Sequence, residues 1–223
     1  MMTLSLTCVG AEGQQVHLRR VQVSPPGNTS LSAAEYEALV DLMGNHNGTE
    51  LNSLYRTSVD GTTYDDLLDS VGDAEPLVFV IRKDKYVFSV HINCGLELPD
   101  EPTDWHKYEC VLWWFSLAGH FDKPTKIDID EWDHFVVVAG REGGLSGAAN
   151  VEIGGRLYLG YRPYIRSCWQ SIDSGYLPEG YTGARDDDGG TGERDSFGRA
   201  YLGGSVYFQA DEIEVLHVMG NSR

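Results

Sequence analysis

The chain has 223 residues and a formal net charge of −17, from 34 acidic against 17 basic side chains. That length fits one domain and buries enough surface to fold without a disulfide or a metal staple. The charge excludes nucleic acid, whose phosphates demand a basic footprint, and anionic membranes, leaving a solvated acidic surface or a protein partner with a basic face found by electrostatic steering.

Four cysteines, Cys8, Cys94, Cys110 and Cys168, form no C-x-x-C pair and read as scattered thiols of a reducing compartment. The first residues show no signal peptide and no Arg-rich transit peptide, so the sequons at Asn28 and Asn47 carry little weight. A soluble, cytoplasmic protein is expected, with a mitochondrial location as the alternative. No run approaches the roughly 18 apolar residues that span a bilayer.

In chain order, Thr3–Val9 and Val16–Val23 read as two short strands, stopped by Pro25-Pro26-Gly27. Ser32 and Glu35 have the spacing of a capping box, with Leu31 and Tyr36 as a hydrophobic staple. Tyr36, Leu39, Val40 and Met43 then repeat at helical spacing until Gly44. A second helix is predicted with Thr62 as its cap, Asp65 in its first turn, and Tyr64, Leu67, Leu68 and Val71 on its buried face before Gly72. Between the helices, Leu54 to Gly61 is mixed in pattern and polar at its end.

From Leu77 onward the pattern is that of strands. Leu77–Ile81 is continuously apolar, as in a strand buried on both faces, and Tyr86–Ile92 alternates. A polar loop over residues 97–107 precedes Val111–Leu117, whose Trp113, Trp114 and Phe115 mark it as the core centre. Ile127–Ile129, Phe135–Ala139, Val151–Ile153 and Leu157–Tyr161 follow as short strands, and the Gly- and Asp-rich stretch Tyr181–Phe197 is expected to be a mobile loop. Gly203 and Gly204 suit a bend at positive φ before two last β-patterned runs. In the second run Ile213, Val215 and His217 alternate with Glu214, Leu216 and Val218, which predicts a strand paired inside a sheet. Two helices followed by many short strands imply a mainly β chain with flanking helices (α+β), built as a two-sheet antiparallel sandwich.

Motifs for chemistry are sparse. Neither Gly144-Leu145-Ser146-Gly147 nor Gly203-Gly204-Ser205 has the spacing of a nucleophile elbow, and no phosphate-cradling glycine loop occurs. Cys94, His106 and Cys110 lack the fourth ligand and tighter spacing of a zinc site, so they read as separate residues around one loop. Asp186-Asp187-Asp188-Gly189-Gly190 departs from the calcium-loop pattern, and that segment and the group Asp128, Asp130, Glu131 and Asp133 read as solvated acidic loops. Glu212 and Glu214, two residues apart, lie on one strand face. A glycosidase pair needs its acids on opposite sides of a cleft. The expected arrangement is an exposed face, or a carboxylate bonded to a basic partner such as Arg56.

Several blocks, taken together, resemble the TLDc domain family. Leu54 through Gly61 is similar to its L-Y-R-x-S-R-D-G-F start, with Val59 for the usual Arg and Thr62 for the usual Phe. Pro76 to Ile81 is similar to its G-P-T-L-x-x-I strand, and Tyr86-Val87-Phe88 to its Y-V-F-G-G, with Ser89-Val90 in place of Gly-Gly. Val111 to Leu117 resembles the F-L-F-S-L strand, and Ile153 to Leu159 the F-G-G-G-x-D-L-Y-I segment. Leu202 to Val215 is similar to the closing L-x-G-x-x-x-F-x-x-x-E-I-E-V. The resemblance covers residues 31–218 with order and spacing kept, so residues 1–30 are expected to be an N-terminal β-hairpin extension and 31–219 the TLDc-like domain.

The resemblance implies a two-sheet sandwich with short helices and no catalytic, cofactor-binding or metal-binding residues. Its matching positions Arg56, Asp60, Gly61, Gly154, Gly155, Gly203, Glu212 and Glu214 are expected to be structural. It further implies a protein-interaction module linked to oxidative-stress resistance, or one acting on the rotary proton-pumping ATPase of acidic organelles. Some members dock through a helix beyond the last strand; here only Met219–Arg223 follows. The alternative is a permanent accessory subunit of a large assembly, such as a mitochondrial ATP synthase or respiratory complex, or a cytoskeletal array.

Overall fold

A computed structural model describes residues 7–9, 15–17, 25–44, 49–142, 149–161, 164–186 and 198–220. At the N-terminus β1 (Thr7–Val9) pairs antiparallel with β2 (Gln15–His17), the described part of the predicted hairpin. Helix α1 (Ala33–Leu42) starts as its sequence dictates: Ser32 accepts the Glu35 N–H at 3.3 Å, and Glu35 accepts the Ser32 N–H at 2.8 Å. Leu31, Tyr36, Leu39 and Val40 are buried on one face.

β3 (Glu50–Arg56) is a strand that the mixed pattern of this segment did not reveal. It is the edge of its sheet, and its register against the last strand shifts at Val215/Leu216, so no clean alternation survives. Helix α2 (Tyr64–Val71) is capped by Thr63 with Asp66, one residue later than predicted. The Thr62 carbonyl accepts the Ile165 N–H at 2.9 Å, and Thr63 takes the extended backbone of the cap. The predicted buried face, Tyr64, Leu67, Leu68 and Val71, is as expected.

Two six-stranded antiparallel sheets form the body. The first orders β3, β17 (Glu212–Met219), β4 (Leu77–Lys83), β5 (Tyr86–Ile92), β7 (Leu112–Ala118) and β8 (Thr125–Ile127). The second orders β16 (Tyr207–Gln209), β12 (Tyr164–Gln170), β11 (Leu157–Tyr161), β10 (Val151–Ile153), β9 (Phe135–Ala139) and β6 (Trp105–Glu109). A small sheet joins β13 (Ile172–Asp173), β15 (Arg199–Ala200) and β14 (Arg185–Asp186).

β4 explains the layering. Its Leu77, Phe79 and Ile81 point between the sheets, where they join Phe88, Trp114, Val136 and Leu159 in the main core. Its Val78 and Val80 point the other way, into a second cluster with Leu39, Phe115 and Leu216 under α1. A strand covered by a sheet on one face and a helix on the other is apolar throughout. The three aromatics of β7 divide in the same way: Trp114 enters the main core, Phe115 the cluster under α1, and Trp113 packs at its margin.

Two loop expectations change. β6 begins inside the predicted polar loop, which therefore ends at Asp104. Tyr181 is buried, its ring 5.1 Å from His120, and β14 follows it, so the start of the predicted mobile loop is packed structure; residues 187–197 lie outside the described residues. β12, also unmarked in the sequence, mixes Arg166, Ser167 and Gln170 with Ile165 and Cys168.

Candidate functional site

β17 lies between β3 and β4, so its outward side chains sit in the middle of a sheet, beneath the segment that leads into α1. Glu212 and Glu214 both point to that face, and both are buried rather than exposed. Glu212 is saturated: Oε1 accepts the Thr57 hydroxyl at 2.7 Å and the Ser58 N–H at 2.9 Å, and Oε2 accepts the Ser58 hydroxyl and the Arg56 guanidinium at 3.0 Å. Burial by itself raises its pKa, but these four donors outweigh it and hold the carboxyl below its ordinary value. Thr57 closes the loop by accepting the Ile213 N–H at 3.0 Å.

Glu214, with no exposed surface, accepts both the N–H of Ser30 at 2.8 Å and its hydroxyl. Arg82, opposite Glu212 on β4, reaches the Ser30 carbonyl at 3.1 Å and the Glu35 carboxylate at 3.0 Å. Arg56 also reaches the Asn28 carbonyl at 3.1 Å. Glu214, Arg82 and Arg56, the last steadied by Glu212, thus clamp residues 28–35 onto the sheet. Sequence reasoning found Arg56, the acids and the cap residue Glu35 but did not bring Ser30, Arg82 and Glu35 to this face, because the contacting pairs are 184 residues (Ser30–Glu214) and 47 residues (Glu35–Arg82) apart along the chain and share no local motif.

The remaining predicted positions are turn devices. Asp60 accepts the Arg56 N–H at 2.8 Å to close the bend after β3, and the Gly61 carbonyl accepts the Tyr55 hydroxyl at 2.9 Å. Gly154 and Gly155 turn β10 into β11 at φ values of 60° and 61°. A Cβ on Gly154 would also stand 2.7 Å from the Asp133 carbonyl oxygen. Gly203 does not use positive φ, contrary to expectation; Gly204 does, at 84°. Gly203 is needed because the Phe208 ring fills the place of a Cβ, which would stand 2.4 Å from its nearest carbon.

Cys94 and Cys110 are joined in a disulfide across 16 residues, which overturns their reading as scattered thiols around a loop. The sequence lacked a cue because the pairing depends on β5 and β7 being neighbours, which brings the strand ends together. Cys168 is a buried free thiol, its pKa pushed up to about 12 by burial.

Among the described residues no group of three or more His, Cys, Asp or Glu side chains is placed to hold a metal. Asp128 pairs with Lys126 at 2.7 Å, Asp130 accepts the Tyr176 hydroxyl at 2.6 Å, and Asp133 binds Arg156 at 2.8 Å, so the acidic group is divided among three partners. No helix among the described residues is long and apolar enough to cross a membrane.

A search of curated proteins finds no match. The model of the TLDc domain family matches residues 28–219, beginning at the residue whose carbonyl Arg56 holds. The chain belongs to the TLDc domain family.

Proposed function

We propose that the chain is a non-enzymatic protein-interaction module that regulates a rotary proton-pumping ATPase or contributes to protection against oxidative stress. The observation that carries this reading is the family match over residues 28–219, which spans both sheets. The chemistry of the best acidic pair agrees with it. Glu212 has its oxygens taken by four donors and Glu214 is sealed under Ser30, so neither carboxylate is free to move a substrate proton. The charge of −17 suits a partner with a basic face.

The test adds the purified chain to acidic-organelle vesicles and follows ATP-driven acidification and retention of the soluble ATPase sector. A dose-dependent change in either supports the reading; no change in either, with no co-sedimentation, removes it. The hairpin that precedes the family-matched segment favours a second reading, a permanent accessory subunit of a larger assembly. A subunit stays with its complex through a high-salt wash, whereas a regulator held by charge is released.

A further inference from the structure

Trp132 is 91% exposed, the most exposed of the large apolar side chains among the described residues. The backbone that carries it is fastened in place. It sits on a 3₁₀ turn, Glu131–Asp133, in which the Asp133 N–H donates to the Asp130 carbonyl at 3.0 Å and the His134 N–H to the Glu131 carbonyl at 3.1 Å. Arg156 binds the Asp133 carboxylate through Nε at 2.9 Å and Nη2 at 2.8 Å, and Tyr176 anchors Asp130. The backbone that presents the indole is thus set before any partner arrives, which lowers the backbone entropy lost on binding. Trp is also the residue type most enriched among interface hot spots.

Beside Trp132 runs a groove of about 820 Å³. Phe135 and the half-exposed Val111 give it an apolar floor, with the Lys107 ammonium 3.7 Å from the centre of the Phe135 ring. The Cys94–Cys110 disulfide secures the wall that carries Val111. Asp128, Asp130 and Asp133 are already engaged, but Glu109 and Glu131, both lining the groove, form no ion pair among the described residues. The surface therefore combines an exposed indole on a fastened turn, an apolar floor and two uncommitted carboxylates against the single ammonium of Lys107.

We propose that Trp132 and this groove dock a segment of a partner protein that carries lysine or arginine beside aliphatic side chains. This rests on the interaction-module reading and names the partner's chemistry for it. A second copy of the chain would bring a further charge of −17 and the same carboxylates, so like charges oppose that occupant. An anionic membrane is opposed for the same reason.

The test titrates the full chain with two synthetic peptides, one alternating lysine with leucine and one alternating glutamate with leucine, by calorimetry and tryptophan emission. The lysine–leucine peptide is expected to bind and shift emission to the blue, with affinity falling on the order of tenfold or more in Trp132→Ala. The same peptide weakens in Glu109→Gln/Glu131→Gln. Unchanged thermal unfolding of Trp132→Ala, expected for so exposed a side chain, shows that folding is not the cause. Equal binding by Trp132→Ala, equal binding of the glutamate–leucine peptide, or no binding of either overturns the proposal. Two further outcomes also overturn it: dimerisation of the wild type that Trp132→Ala abolishes, and a blue shift on anionic vesicles alone. Retention of a cellular partner by Trp132→Ala sinks this site while sparing the interaction-module reading. Trp132-dependent peptide binding without any effect on, or association with, the ATPase or another assembly does the reverse.

Discussion

Arg56 stands opposite Glu214 in the β3–β17 register, yet its guanidinium reaches two residues along the strand to Glu212, Nη2 to Oε2 at 3.0 Å. The diagonal leaves Glu214 to Ser30. Each carboxylate therefore ties a different part of the chain to the same strand: Glu212 the bend after β3, Glu214 the approach to α1. The most enzyme-like pair in the sequence is thus a pair of structural fasteners.

Removing one of these partners strands the others in a buried place. Glu212→Ala is expected to destabilise the chain by roughly 2–4 kcal/mol, because Arg56, Thr57 and Ser58 lose their common acceptor. Arg56→Ala, which leaves Glu212 three donors, costs about half as much or less. Urea unfolding midpoints of the two variants check the order.

His91 is 7% exposed, and burial lowers its pKa from 6.5 to about 4. Between these values the unfolded chain binds a proton that the folded chain refuses, so stability is complete above pH 6.5 and declines as pH falls toward 4. The slope at its steepest is about 1.4 kcal/mol per pH unit. His91→Gln is expected to flatten this part of a thermal-melt series. Glu35 and Glu212 have lowered pKa values, so their contribution is present above the ordinary carboxylate value of 4.5 and is lost only as pH falls through their folded values below it. That second acid limb persists in His91→Gln and weakens in Glu212→Gln.

The Cys94–Cys110 bond closes a loop of 16 residues, which corresponds to about 3 kcal/mol of restricted unfolded-state freedom. Cys94→Ser/Cys110→Ser is expected to lower stability by about that amount and to make the melting temperature insensitive to reductant. The oxidation state of the pair in cells, read by differential alkylation, also bears on location, since disulfides persist where the glutathione pool does not reduce them.

Cys168 is expected to be inert in the folded chain, its thiol buried and pushed up to about 12. In a Cys8→Ser background, no thiol reacts with an aromatic disulfide reagent at neutral pH until denaturant is added. Rapid native labelling would contradict the burial.

Gly154→Ala places a methyl against the Asp133 carbonyl at a φ of 60°. A destabilisation of about 1–3 kcal/mol is expected, measurable by thermal unfolding. Because Asp133 anchors the turn that bears Trp132, the same variant is also expected to loosen that turn, seen as faster amide hydrogen exchange at Asp133 and His134.

Local patterning settled much of this protein. The Ser32–Glu35 box, the apolar run of β4 and the alternation of β5 depend on neighbours a few residues away, and each was legible in order along the chain. Edge and mixed strands such as β3 and β12 were not, because their polar residues answer to cross-strand neighbours and not to a solvent-facing period. The clamp on residues 28–35, the Cys94–Cys110 bond and the exposure of Trp132 likewise came only from the tertiary structure. Each depends on segments that meet after the last strand, β17, has been inserted between β3 and β4 or after the two sheets have stacked, and no local period records which distant side chains will then be neighbours.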